Sequence, residues 1–464
     1  MPFALELARR INALRYEDLP PEAVHWAKIG ILDTVGVTLA GSDDPSATIV
    51  AGVLAGNGPA LLLGTDKRTA PLDAALVNGT AAHALDFDDC SNTLGGHPSA
   101  PILPALFALA DEIGASGRDF LTAYVAGFET ECKISLGVNL YQYTRGWHPS
   151  TTIGVFGTAA ACAKLMKLSD EQTATALAIS ASLASGIKSN FGTNVKPLHV
   201  GHCARNGLFA ALIARDGYTA SPVAFEHKQG YFEVFNGAGN YDAEKILPNW
   251  GKPFDIVKPG LMVKQYPCCG STHSPIDAML EVVRKHDLTA DAVERIQCWT
   301  HTRRLEHTNR PHPQSTKDAK FSVQYCLARA VLNRKVVIEH FEGNAYRDPQ
   351  VQALMGKIDA ATYTTEQFPA DNHYGAEVKV TLRGGSVLGA KLNQCVGRTS
   401  ADPLPHERLK EKFDNCANRA LEPDRTAAVY EAVMSIEKLA DVRAVNDAMV
   451  AKTAQRRMVT TAKV

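Results

Sequence analysis

Long apolar segments at helical spacing fill the first half of this 464-residue sequence, and they constrain its fold more than any other feature. Ala, Leu, Ile and Val recur in them every three to four residues, and Gly, Pro, Asp or Ser bounds each segment. The segments are apolar nearly all round, which is typical of helices buried inside a bundle. The sequence therefore predicts a large helical domain, with helices at 23–39, 73–84, 101–113 and 120–136.

Strand patterns occur only in the second half of the sequence. Residues 293–300 and 376–382 alternate between apolar and polar side chains, and the second run leads through an Arg-Gly-Gly-Ser hairpin turn into 387–392. Helical spacing returns at 409–420 and 426–439. These patterns predict a mainly α protein with a helical domain (1–270), a smaller α/β domain (271–400) and C-terminal helices that return to the helical domain (401–464).

Charge and cysteine content argue against several classes of partner and site. The net charge is −1 with no basic or acidic block, which argues against nucleic acid or an anionic membrane as the main partner. Residues 1–19 lack an apolar signal-peptide region, and the apolar run at 151–162 is too short to span a membrane. The ten cysteines include no C-x-x-C pair, which predicts free thiols, a reducing cytoplasmic location and no metal site.

A polar segment at 190–202 carries one lysine and two histidines between two long apolar segments. Its glycine and proline residues predict a loop. Lys196, held in a cleft by such a loop, is a candidate acid, base or carboxylate anchor. The alternative is a connection between helices whose lysine points to water.

An acidic run, Asp86-Phe87-Asp88-Asp89, precedes His97 in the sequence. Three carboxylates within four residues cannot all be buried and charged, so at least one must be paired, exposed or shifted to a raised pKa. The run is either functional or the solvated end of a helix. A divalent-metal site is a weaker alternative, because the spacing of a calcium loop is missing.

His148 and Lys264 are two further candidates. Pro149 excludes His148 from the α region, so Ser150 and Thr151 can cap the helix that follows. His148 is then either an acid or base at a helix entrance or a packed side chain. Lys264 lies at the join between the helical and α/β parts, where clefts form, or it is a linker lysine.

Six short motifs occur in order along the chain. They are 81–89, His97-Pro98-Ser99, Gly146-Trp147-His148-Pro149, Gly192-Thr193 with 196–199, 264–268 with His273, and 318–325. Each motif is weak alone, but the ordered set closely resembles the MmgE/PrpD family from about residue 5 to 440. The resemblance implies a large helical domain, a smaller α/β lid domain, a homodimer, and chemistry without a metal or organic cofactor.

The resemblance also implies an active-site cleft and a class of reaction. The family includes 2-methylcitrate dehydratase, cis-aconitate decarboxylase and iminodisuccinate epimerase, whose substrates are small, anionic carboxylates. The implied catalytic residues are His148, His97, Asp86 and Tyr325, and the implied substrate-binding residues are Lys196, Lys264 and Tyr143.

The implied roles follow from the chemistry these activities share. Lysines hold carboxylates and stabilise growing negative charge, while the histidines and Asp86 move protons, although the sequence does not assign acid and base. Tyr325 would donate to a leaving hydroxyl or an enolate oxygen. Members that resemble the decarboxylase have threonine where this chain has Cys90, which argues against decarboxylation of cis-aconitate. A dehydratase is preferred because of its frequency in the family, which is an analogy and not evidence from the site. An epimerase, a decarboxylase and, more remotely, a non-catalytic binding protein are the alternatives.

Overall fold

Long helices make up the first half of the chain in the computed structural model, which describes residues 1–451 apart from the side chains at 139 and 140. The four predicted helices are confirmed, and each extends past its apolar run at one or both ends. Proline begins several helices, because the first turn needs no amide donor. In chain order the helices are α1 (Phe3–Ala13), α2 (Pro21–Gly41), α3 (Pro45–Gly52), α4 (Pro71–Ala84), α5 (Ser99–Ile113), α6 (Gly117–Arg145), α7 (Pro149–Thr152), α8 (Gly154–Leu165), α9 (Asp170–Leu183), α10 (Val195–Arg215) and α11 (Tyr231–Asn236).

Two glycines allow α4 and α10 to pack closely. A Cβ on Gly201 would lie 2.2 Å from the carbonyl oxygen of Leu76, and a Cβ on Gly79 would lie 2.8 Å from the Cα of Gly201. Only glycine fits such a contact without displacing backbone. The close approach lets His83, in the last turn of α4, contact Lys196, in the first turn of α10.

A four-stranded sheet forms the core of the α/β domain. The strands predicted at 293–300, 376–382 and 387–392 are confirmed, with the hairpin between the last two. The sequence does not predict the fourth strand, which is short and mostly exposed and pairs parallel to 293–300. The strands are β1 (Ala60–Leu61), β2 (Arg68–Thr69), β3 (Cys90–Ser91) and β4 (Leu261–Met262) outside this domain, and β5 (Val293–Thr300), β6 (Ile358–Thr362), β7 (Ala376–Leu382) and β8 (Val387–Leu392) in the sheet order β6-β5-β7-β8.

The later helices cover this sheet and then return to the helical domain. They are α12 (His273–His286), α13 (Thr302–Thr308), α14 (Thr316–Ala319), α15 (Val323–Asn333), α16 (Pro349–Met355), α17 (His406–Ala417), α18 (Pro423–Met434) and α19 (Arg443–Ala448). Helix α12 packs on β7 and β8, and α17 packs on α2. The two predicted C-terminal helices are thus confirmed with shifted ends.

Buried apolar side chains form one core in the helices and a smaller core in the α/β domain. The larger core runs from Phe3 to Val263 and takes in 404–449, and the smaller runs from Tyr266 to Ala390. The protein is therefore mainly α with a smaller α/β domain. The boundaries at 270 and 400 stay a proposal, and residues 452–464 of the last segment lie outside the described residues. Among the residues described, no helix combines the length and apolar character needed to cross a membrane.

Candidate active site

A cavity of about 160 Å³ lies where the helical domain meets the α/β domain. Helix α13 and the segment after β8 line it from the α/β side. Six of the seven residues predicted for the site line this cavity: Asp86, His97, Tyr143, His148, Lys196 and Lys264. Segments far apart in sequence thus converge on one small space, and the roles of these side chains stay predictions.

Asp86 lies in a tight turn directly after α4. Its φ of +52° falls in the left-handed region, which costs a non-glycine residue on the order of 1–2 kcal/mol. Lys320, Lys264 and Lys412 donate to the carbonyl oxygens of residues 85, 86 and 87 at 2.5, 2.7 and 2.8 Å. Because these lysines come from three parts of the chain, both domains and helix α17 hold the turn in place.

The short sheet of β3 and β4 explains how Lys264 reaches this turn. The two strands pair antiparallel, which sets the residues after β4 beside those before β3. Nζ of Lys264 lies 3.2 Å from Oδ1 of Asp86, and the side chain is 1% exposed. Burial alone lowers the pKa of Lys264, but the negative charges of Asp86 and Cys90 outweigh burial and raise the pKa above its ordinary value. Lys264 is therefore a buried, charged ammonium group.

Lys196 lies in the first turn of α10 and not in a loop. The loop predicted at 190–202 is therefore wrong from residue 195 onward, since Pro197 is tolerated in a first helical turn. Nζ of Lys196 lies 2.7 Å from both Oδ1 of Asp86 and Nε2 of His83. The alternative in which this lysine points to water is wrong, because the side chain is buried.

His83 joins Lys196 to the acidic run, and the sequence reasoning missed it as a site residue. Because an ammonium group only donates, Nε2 of His83 accepts, and its Nδ1 carries the proton donated to Oδ2 of Asp88 at 2.8 Å. Burial lowers the pKa of His83 to about 3, so the ring is neutral. The available signal was a single histidine near the end of a helix of small apolar residues, five positions before Asp88.

His97 and His148 differ in protonation state although they line the same cavity. Burial alone lowers the pKa of His97, but the negative charges of Asp88, at 3.1 Å, and of Cys90 raise it to about 10. Burial lowers the pKa of His148 well below its ordinary value, and the positive charge of Lys196 lowers it further. At neutral pH the cavity therefore holds one imidazolium that can donate a proton and one neutral imidazole that can accept one.

Pro149 shapes the backbone at His148 as predicted. His148 has extended φ and ψ angles of −96° and 98° and is itself the N-cap residue of α7. The predicted capping by Ser150 and Thr151 is therefore wrong. Instead, Oγ of Ser150 accepts a hydrogen bond from the backbone N–H of His97 at 2.9 Å, which fixes the two histidine segments to each other.

All three carboxylates of the acidic run are buried. Burial alone would raise the pKa of Asp86 and of Asp88. The positive charges of Lys196 and Lys264 instead hold the pKa of Asp86 well below its ordinary value, and His83 and His97 hold the pKa of Asp88 well below its ordinary value. Burial raises the pKa of Asp89 well above its ordinary value. The run thus contains two carboxylates paired with cations and one carboxyl group whose pKa is raised, and the alternative of a solvated acidic loop is wrong.

The two tyrosines predicted for the site have different positions. Tyr143 lines the cavity with Nζ of Lys188 at 3.4 Å from its ring centre, and burial raises its pKa to about 12. The hydroxyl of Tyr325 donates to the carbonyl oxygen of His340 and accepts from Nε of Arg329 inside the α/β domain. Contrary to the expectation, Tyr325 does not line the cavity, because α15 buries it in the core of that domain.

Four side chains offer ligand atoms within 4.8 Å of one another, close enough to hold a metal ion: His83, Asp86, Asp88 and His97. However, the ammonium group of Lys196 already donates to His83 and Asp86, and that of Lys264 lies beside the same carboxylate. A divalent ion placed there would be repelled by both lysines. The arrangement supports a site without metal, which stays a prediction.

The sequence reasoning also missed three arginines of the α/β domain. Arg303 and Arg304 on α13 and Arg398 after β8 line the same cavity as Asp86. No motif or spacing marks them in the sequence, and only the fold brings residues 303 and 398 to one surface.

Fold and cavity together describe a protein with a large helical domain, a smaller α/β domain and, between them, a cavity lined by histidine, lysine and arginine side chains. Residues 5–244 match the MmgE/PrpD N-terminal domain, and residues 266–438 match the MmgE/PrpD C-terminal domain. The chain belongs to the MmgE/PrpD family.

Named relatives match almost the whole chain. Cis-aconitate decarboxylase of Homo sapiens is 30% identical over 450 residues, which is 94% of this chain and 92% of the human protein. Cis-aconitate decarboxylase of Aspergillus terreus strain NIH 2624 is 25% identical over 467 residues, 94% of each chain. The 2-methylcitrate dehydratase of Cupriavidus necator is 25% identical over 471 residues, 92% of each chain. By their names, these relatives are enzymes that process small carboxylates.

Proposed function

We propose that this protein is a cofactor-independent lyase that removes water from a small di- or tricarboxylate. One observation carries the proposal: neutral His148 and protonated His97 line the same cavity as Lys196 and Lys264. Elimination of water from a hydroxy acid needs a base for the carbon-bound proton, an acid for the leaving hydroxide and cations for the carboxylates. These side chains supply all three.

In the proposed reaction His148 takes a proton from the carbon next to a carboxylate. The electron pair of that carbon–hydrogen bond forms the carbon–carbon double bond, the carbon–oxygen bond breaks, and hydroxide leaves as water with a proton from His97. Lys196 and Lys264 bind the carboxylate on which negative charge grows. Asp86 holds both ammonium groups in place. Proton exchange with solvent then restores the two histidines.

Decarboxylation is the second candidate, because the human decarboxylase is more similar to this chain than the Cupriavidus necator dehydratase is. In that reaction the bond to a carboxyl carbon breaks, CO₂ leaves, and the remaining carbanion takes a proton from His97. Against it stands Cys90, in the place where the resemblance implies threonine in decarboxylases. The dehydratase therefore stays the first proposal.

A substrate panel followed by proton NMR in heavy water tests these functions. The panel contains 2-methylcitrate, citrate, cis-aconitate and iminodisuccinate. A dehydratase gives a new vinylic signal or a conjugated product that absorbs in the ultraviolet, and a decarboxylase releases CO₂. Deuterium incorporation without either change identifies an epimerase. Absence of turnover across the panel, with thermal stabilisation by the same compounds, would favour a binding protein and contradict the lyase proposal.

The assembly and the location are part of the same proposal. We propose a homodimer in the cytoplasm, as the resemblance implies. Light scattering after size-exclusion chromatography tests the dimer, and a mass of one chain would contradict it.

Asp88→Asn should move the basic limb of the pH profile. Burial alone lowers the pKa of His97, and Asp88 is the largest influence that raises it to about 10. We therefore expect kcat/KM of the native enzyme to fall as pH rises toward 10 and that of the variant to fall at lower pH. Because the folded pKa exceeds the unfolded value of about 6.5, protonated His97 stabilises the fold fully below about pH 6.5, and this stabilisation is lost up to pH 10.

Asp89→Asn is the matched control for that profile. The carboxyl group of Asp89 accepts hydrogen bonds from the backbone N–H and Oγ of Ser99 and not from His97, so its amide should leave the position of the basic limb unchanged. A basic limb at the same pH in Asp88→Asn and in the native enzyme would show that His97 is not the acid.

Activity should survive removal of divalent metals. The acidic run already faces the ammonium groups of Lys196 and Lys264 and the imidazolium of His97, so the proposed reaction does not need an added ion. We expect unchanged kcat after exhaustive dialysis against a chelator. Loss of activity that returns with iron, magnesium or manganese would make Asp86, Asp88 and the two neighbouring histidines metal ligands.

A further inference from the structure

The arginines of the α/β domain give the cavity a second cationic wall. Arg303 and Arg304 lie on α13, and Arg398 follows β8. All three line the cavity that also contains Lys196 and Lys264.

Arg398 is buried with an unsatisfied donor. Its side chain is 8% exposed, its guanidinium carbon lies 3.9 Å from the ring centre of Tyr374, and Nη1 contacts Sδ of Met262 at 3.1 Å. Its buried Nε has no hydrogen-bond partner within the described part of the chain. Since a buried donor without an acceptor is costly, this group fits an anion that enters the cavity.

Arg304 lies against the same aromatic ring, and among residues 1–451 it has no carboxylate partner. Its guanidinium carbon lies 4.3 Å from the ring centre of Tyr374, Nη1 donates to Oγ of Ser271, and Nε donates to the carbonyl oxygen of His373. Burial, and next the positive charge of Arg398, lower the pKa of Arg304 to about 10. A buried and a half-buried guanidinium group on one ring repel each other unless negative charge lies nearby.

Carboxylates offset most of the positive charge on the side of the helical domain, but not on the side of the arginines. Asp86 faces both Lys196 and Lys264, and Asp88 faces protonated His97, so two carboxylates face three cations there. In contrast, among residues 1–451 no carboxylate lies within 4.0 Å of the guanidinium groups of Arg304 and Arg398. The guanidinium groups that lack a carboxylate partner therefore lie on the side of the α/β domain.

Gly270 keeps the space between the two cationic walls open. A Cβ added to it would lie 3.7 Å from Cε of Lys264 and 4.0 Å from Nη1 of Arg398. A molecule of a few carbon atoms with a carboxylate near each end can therefore contact both walls at once.

We propose that Arg304 and Arg398 form a second anion subsite, which binds the substrate carboxylate farthest from the reacting carbon and selects polycarboxylates over monocarboxylates. This inference rests on the proposed function, because it takes Lys196 and Lys264 as the anchor for the carboxylate at the reacting carbon. Guanidinium groups suit the task, since they bind carboxylates through two parallel hydrogen bonds.

Calorimetric binding of unreactive probes tests the subsite without turnover. The probes are propane-1,2,3-tricarboxylate and butanoate, and the variants are Arg398→Gln and Arg304→Gln. We expect each variant to bind the tricarboxylate about 10- to 100-fold more weakly and butanoate as the native protein does. Arg295→Gln is the control, since Arg295 pairs with Asp359 on the surface of the same domain and should leave both affinities unchanged.

Gly270→Ala provides a variant that keeps both cations. Its methyl group would occupy the space between Lys264 and Arg398, so tricarboxylate binding should weaken several-fold while the fold stays intact. Equal losses for both probes, unchanged tricarboxylate binding, or no tricarboxylate binding by the native protein would overturn the subsite. Tricarboxylate binding that the arginines control, together with no turnover of the substrate panel, would instead overturn only the dehydratase proposal.

Discussion

His148→Asn is expected to lower kcat by about 10²–10⁴-fold, the usual contribution of a positioned acid or base. Asparagine is similar in size and polarity but cannot take a proton from carbon at neutral pH. The native imidazole can, because burial and Lys196 hold its pKa well below the ordinary value and leave it neutral. The measurement is steady-state kcat on a substrate that the panel identifies, with circular dichroism to establish the fold.

His199→Asn is the control for this prediction. Nδ1 of His199 lies 3.4 Å from Nδ1 of His148, so the ring can position His148 without reaching the substrate in its place. We expect a smaller loss of kcat from this variant than from His148→Asn. Full activity of His148→Asn on a verified substrate would show that His148 is not the base, and His97 would become the leading proton carrier.

The sequence predicted the elements whose side chains repeat over many residues. Apolar spacing over several turns identified α2 and α6, and strict alternation identified β5 and β7. It could not identify β3 and β4, because a strand of two residues has no period. These short strands place Lys264 in the site. The sequence pattern therefore did not predict the elements that position this lysine.

The sequence could not distinguish a loop from a helix at Lys196 for a related reason. Glycine and proline next to polar residues are typical of loops. However, the first turn of a helix accepts Pro197, because backbone N–H groups in that turn have no acceptor within the helix and proline therefore loses no hydrogen bond there. The segment is helical because Gly201 allows α10 to pack against α4, a contact between distant residues. A tertiary contact thus decided a local conformation that the sequence left open.

The charge states of the site depend on neighbours that only the fold supplies. Both His97 and His148 are buried, but Asp88 faces the first and Lys196 affects the second, so one is protonated and the other neutral. The family resemblance placed six side chains that line the cavity, but it also placed Tyr325, which the structure holds in the core of the α/β domain. The spacing of residues in the sequence gave no information on Arg304 and Arg398, because they are far apart in sequence and only the fold brings both against the ring of Tyr374.

Lys264→Ala should impair binding, catalysis and stability together. Nζ of Lys264 donates to the carbonyl oxygen of Asp86 at 2.7 Å and lies 3.2 Å from its carboxylate. Its removal leaves the strained turn without one of its three lysines and leaves the buried carboxylate of Asp86 without one of its two lysine partners. We expect the free energy of unfolding to fall by about 3 kcal/mol, as when a buried ion pair loses one partner. We also expect kcat to fall by about 10²–10³-fold and KM to rise, because this cation acts in the ground state and the transition state.

Denaturant unfolding and steady-state kinetics measure these effects, and a small amine separates them. Lys258→Ala, on an exposed lysine six residues earlier, should change neither stability nor kcat/KM. Ethylammonium added to Lys264→Ala can enter the space of the missing side chain and should restore part of kcat, whereas a purely structural lysine would give no such recovery. A native KM in Lys264→Ala would contradict its role as a carboxylate anchor, since the substrate would then bind equally well without the cation.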